Sequence, residues 1–165
     1  MTVSADTLRT HLDYTTWATG RLMEAAARLS PEELVRDFGT ADKSVVDTLA
    51  HIFAADRIWM GRIHGRPPAK FITPEDRDLA LLQREWPALL EVWKQWGAGL
   101  TDDNVTAKAS YPDMQGKPWT TPLWQIVLHV VNHGTHHRGQ ASGFLRTMGR
   151  VPPPLDLIAY YRQLA

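Results

Sequence analysis

Apolar residues recur three or four positions apart over four long stretches of this chain, and no stretch of similar length alternates as a strand would. That pattern predicts amphipathic helices. The first spans about Ala5 to Leu29, with Leu8, Leu12, Leu22 and Ala26 on one face. Ser30-Pro31-Glu32-Glu33 stops it and starts a short turn, with Pro at N1 and Glu at N3. The second begins at Ser44, is striped by Val45, Leu49, Ile52, Phe53, Trp59, Met60 and Ile63, and ends at Gly65 and Pro67-Pro68. The third runs from about Pro74 to Trp96 behind a Thr73 cap, and Pro87 inside it should kink or split it. The fourth starts at Pro122 behind Thr121 and stops at Gly149; Pro152-Pro153-Pro154 then predicts an extended tail. Between the last two, Val105–Tyr111 and Lys117–Thr120 flank a turn-forming Pro112–Gly116 segment, which predicts a short β-hairpin or an ordered loop. Four such helices and no long strand make an all-α fold, a four-helix bundle.

The 165 residues suit one domain, 1–165. With no cysteine, disulfides, thiolate nucleophiles and Cys-based zinc sites are excluded. No apolar leader follows Met1 and no run reaches the ~18 apolar residues of a membrane span. The expectation is a cytoplasmic protein with no membrane contact. Basic and acidic residues balance at net charge zero, without a basic stripe, so no nucleic-acid partner is expected. Weak self-repulsion leaves homo-oligomers open.

Four of the seven histidines lie within residues 129–137. On a helix, His129, His133 and His137 stand one above another, and His136 sits on a neighbouring line. Two imidazoles four apart can share a divalent ion, and His129/His133 and His133/His137 serve equally well by spacing. A third ligand has to come from another helix. His11, His51 and His64 are the candidates. His51 is favoured because it lies mid-helix beside the apolar stripe, where a ring needs a partner.

Asn132-His133-Gly134-Thr135-His136-His137-Arg138-Gly139-Gln140, with Thr48-Leu49-Ala50-His51-Ile52 followed by Asp56 and Trp59, resembles the signature of the DinB/YfiT-like proteins. Trp17-Ala18, Thr121-Pro122-Leu123 and the proline-rich ending are similar to that family too, so the likeness covers nearly the whole chain. The resemblance implies an up-down-down-up bundle and a divalent metal on His51, His133 and His137. His129 becomes a neighbour. His136, where relatives often carry an aromatic residue, becomes a rival ligand. The resemblance also implies a homodimer and a metal-dependent enzyme, a thiol-dependent S-transferase or isomerase or a hydrolase, using a low-molecular-weight thiol.

Three neutral imidazoles leave a metal its full charge and an open position, and suit zinc or nickel, with iron, manganese or copper also compatible. Such an ion acidifies water or a thiol and polarises a carbonyl. Gln140 can orient His137 or touch substrate, and Arg138 can meet an anion, or else form a salt bridge or a dimer contact. Asp56 can bond near His51. Trp59, Trp119, Trp124 and Tyr14 are candidates to shape the pocket. Gly139 and Gly143 suggest close helix approach. No nucleophile elbow and no phosphate loop is present. A non-catalytic metal-binding stress-response or sensor protein and a dimeric helical interaction module are the alternatives.

Overall fold

The computed structural model describes residues 3–66 and 70–165. Its long helices are α1 (Ala5–Ala26), α3 (Val45–Ile63), α4 (Leu79–Ala98) and α5 (Leu123–Thr147). Two short helices, α2 (Pro31–Leu34) and α6 (Leu157–Leu164), and an antiparallel hairpin of β1 (Lys108–Pro112) and β2 (Pro118–Pro122) complete it.

The apolar stripes decide how the rods pack. α1 lies against α4 and α5, and α3 lies against the same two. Leu8 and Leu12, early in α1, share a core with Trp93 late in α4 and Val127 early in α5. Leu22 and Ala26, at the other end, share a core with Leu82 and Trp86 early in α4 and Leu145 late in α5. So α4 runs against α1, and α5 runs with it. Val45 and Leu49 of α3 join the second core and Met60 the first, so α3 runs with α4 and against α5. The order is up-down-down-up.

Local chemistry explains the boundaries. Ser44 caps α3 by accepting from the Asp47 N–H, and Gly65 (φ 65°) supplies the left-handed residue beyond its last turn. The Pro67-Pro68 stop lies outside the described residues. Residues 74–77 form a separate 3-10 turn, tied by Asp76 to Thr73; α4 begins only at Leu79, capped by Asp78. Pro87 does not split α4. It lies on the exposed face, as does Gln83, whose carbonyl loses its helical partner and can turn to water.

The hairpin starts later than expected, because Thr101 and Asn104 cap each other in a turn. Thr121 sits in β2 and does not cap α5. The first N–H groups of that helix instead bond Ala107 and Val105 carbonyls, at 2.8 and 3.0 Å. Nor is the C-terminus only an extended tail. After the prolines, α6 packs on α1, burying Tyr160 against Tyr14 and Trp17, while Trp17 Nε1 donates to Gln163.

Candidate metal centre

Antiparallel packing sets His51 of α3 opposite His133 and His137 of α5. One ring nitrogen from each lies within 4.8 Å of the others. His51 Nε2 and His133 Nε2 are 3.1 Å apart. Two imidazoles on a tetrahedral zinc, with Zn–N of about 2.0–2.1 Å, hold their nitrogens roughly 3.3 Å apart, so this pair already has a ligating separation.

Sequence reasoning missed Asp42. Its carboxylate lies 3.2 Å from His51 Nδ1 and 3.1 Å from His137 Nδ1. An ionised carboxylate only accepts, so it favours the proton on both Nδ1 atoms and leaves both Nε2 lone pairs free. Gln140 Oε1 is 2.7 Å from His137 Nδ1 and accepts the same proton. The loop that carries Asp42 is pinned. Phe38 N–H bonds the Lys43 carbonyl at 2.8 Å, and the Phe38 ring stacks on Phe144 of α5 at 4.4 Å.

Burial, reinforced by His137, His51, His129 and His136, pushes His133 down to about 3. Burial lowers His137 too, with Gln140 and Asp42 pulling the other way. Both shifts favour the neutral, ligating form of His133 and His137. Three imidazoles that bring one nitrogen each within 4.8 Å of the others, with His51 and His137 braced at Nδ1 by Asp42, fit a divalent cation.

The other histidines stand outside the group. His129 is exposed and meets the Trp59 ring edge-on at 4.8 Å, one turn from His133. His136 rests against His137 and faces solvent. His11 Nδ1 meets the Thr7 carbonyl on α1, and His64 is the exposed cap of α3. Phe71 packs edge-on to His51 at 5.0 Å.

Several expected roles change. Asp56 turns away from His51 into the core, where it is 2% exposed and accepts from Trp86 Nε1 at 2.9 Å. Five residues separate it from His51, placing it on a different helix face. Arg138 forms no ion pair among the described residues. At 1% exposure it bonds Thr19 and Thr135 and lies over the Tyr14 ring. Gly134 makes that possible, since a Cβ there would come within 2.8 Å of the guanidinium. Tyr14 belongs to this α1–α5 contact and donates to the Leu155 carbonyl. Trp119 is exposed on the hairpin, bonded to Asp113, and Trp124 packs against the core. Only Trp59 of the aromatic candidates borders the histidines. Gly139 and Gly143 face open space, so no described helix of the same chain approaches them closely.

Residues 1–163 match the DinB family. The chain belongs to the DinB family. A DinB-family relative, the DinB protein of Bacillus subtilis (strain 168), is 23% identical over 163 residues, 90% of each chain. The crystal structure of a DinB-like protein from Bacillus cereus ATCC 10987 superposes with a TM-score of 0.62 at 20% identity, covering 87% of this chain and 94% of that one. At that identity the likeness speaks for the DinB-like fold, which agrees with the helix order above. The described residues contain no helix long and apolar enough to cross a membrane.

Proposed function

We propose that this DinB-family chain is a metal-dependent enzyme that joins a small thiol to an electrophile, or rearranges a thiol adduct, with zinc or nickel on His51, His133 and His137. Hydrolysis is the same chemistry with water replacing the thiol. The observation that carries the reading is the convergence of three imidazoles, two of which, His51 and His137, are braced at Nδ1 by Asp42 and Gln140. When bound, a divalent ion on three imidazoles acidifies a thiol or water and polarises a carbonyl.

The rest falls to the protein. Asp42 and Gln140 hold the imidazole protons at Nδ1 and fix the ring planes. Phe71 packs against His51 and restricts water there, while the partial exposure of His51 leaves a way in. We place the protein in the cytoplasm as a homodimer. The bare backbone at Gly139 and Gly143 on the exposed side of α5 suits a second copy, and light scattering measures it.

The experiment is metal analysis of purified and reconstituted protein, followed by assay with thiols against a panel of electrophiles. The expected result is one ion per chain and turnover that disappears with chelator and in His133→Ala. Failure to hold stoichiometric metal after reconstitution would falsify the proposal. Stoichiometric metal without turnover across the panel would overturn the enzymatic part and leave a metal-binding protein.

A further inference from the structure

Among the described residues, Arg62 has no counter-ion in contact. It is 8% exposed, and its Nε is buried with no hydrogen-bond partner. Among the described residues its guanidinium forms no side-chain hydrogen bond and no ion pair. Aromatic faces hold it instead, with the Trp59 ring centre 4.5 Å from Cζ and the Tyr111 ring centre 4.9 Å away. Tyr111 is fixed in turn by Thr121 across the hairpin, at 2.9 Å. Asp113 acts on Arg62 only from farther off, and its carboxylate is already taken by the Trp119 indole and the Gln115 and Lys117 N–H groups. A cation at the end of a helix is favourable on the exposed surface and needs neither burial nor two rings. Confining one without an anion costs solvation that stacking only partly returns.

Its placement relates it to the histidines. Arg62 is eleven residues beyond His51, close to three helical turns, so both lie near one face of α3 about 16 Å apart along the axis. Helical side chains lean toward the N-terminus, which brings the guanidinium back toward His51. On the facing helix the line continues. Trp59, under Arg62, touches His129, and His129 is one turn from His133. An uninterrupted row of rings thus joins the imidazole group to an unpaired cation.

We propose that Arg62 reads an anionic end group, a carboxylate in the first instance, on an elongated thiol substrate whose sulfur is directed to the histidine group. Trp59 and His129 form the wall between the two ends. A planar guanidinium matches a carboxylate in two parallel bonds, and rings that exclude water strengthen that contact. Arg62 sets specificity and does not touch the reacting atoms.

The inference rests on the function proposed above, and the test separates the two. Cobalt(II)-loaded protein is titrated with ω-mercaptoalkanoates of increasing length, each beside the ω-mercaptoalkanol of the same length, while the visible cobalt bands report sulfur at the metal. At the optimal length the carboxylate should bind about tenfold more tightly than the alcohol, roughly one charge-assisted contact. Arg62→Gln should erase that preference while leaving cobalt content, helicity and alcohol binding unchanged. Arg62→Lys should restore only part of it. If carboxylate and alcohol bind the parent protein equally at every length, or the preference survives Arg62→Gln, the inference falls and the metal reading stands. If no thiol alters the cobalt bands, both fall.

Discussion

At the scale of single residues, Asp42 carries the sharpest test. It touches two of the three imidazoles and holds their protons away from the shared centre. We expect Asp42→Asn to weaken metal binding about 10–100-fold, the usual effect of losing such a support, with helicity intact. Competition against a chromogenic chelator measures it. Asp56 makes a different prediction. Burial raises it to about 7, against the Trp86 hydrogen bond and the Arg138 charge, which act to lower it. A folded-state value above the unfolded one means the native protein holds the proton longer. The stabilisation is complete below about 4 and is lost as pH rises through about 7. Asp56→Asn keeps an acceptor for the Trp86 indole and removes the titration. It should therefore flatten the fall in urea midpoint between pH 5 and 8, and a parallel fall in both proteins would contradict the assignment. The sequence made some of these residues readable and hid others. Helical spacing lined up His129, His133 and His137, and likeness to a family chose two of them. Asp42 left no trace, because it sits in a loop where no periodicity ties it to a partner. Nothing in the sequence singled out Arg62, since an unmatched charge shows only when its neighbours are in place.

At the scale of elements, the long helices were legible because each carries a continuous apolar stripe, and their boundaries were not. α5 is started by the carbonyls of Val105 and Ala107, a contact no local motif announces. α6 was masked by three prolines that end one element without forbidding the next. Pro87 is instructive, because α4 runs through it unsplit. Proline inside a helix costs roughly 3 kcal/mol relative to alanine when its neighbours cannot adjust. Here Gln83 lies on the exposed face, where its carbonyl can turn to water, and the helix continues. Pro87→Ala restores the missing donor. Allowing for the freer unfolded chain, we expect a gain of about 1–2 kcal/mol, seen as a rise of several degrees in melting temperature. No change, or a loss, would mean that the groove beside α1 requires the proline ring.

At the scale of the molecule, helix order joins the ends of the chain. α1 and α5 run side by side in the same direction, and α3 faces α5. Any ion held between α3 and α5 clamps two elements that unfolding must separate. Zinc at about a thousand times its dissociation constant should add about 4 kcal/mol to the wild type and nothing comparable to His133→Ala. Calorimetry with and without the ion measures this. The donors also lie far apart in the polypeptide, with His51 and His133 separated by 82 in sequence number. A ribosome that has released everything up to the hairpin has delivered one imidazole and one carboxylate, too few to capture a scarce cation. An ion at this site would then load only once the last long rod docks, so a truncated or stalled product would go without cargo and only finished copies would draw on the cell's supply.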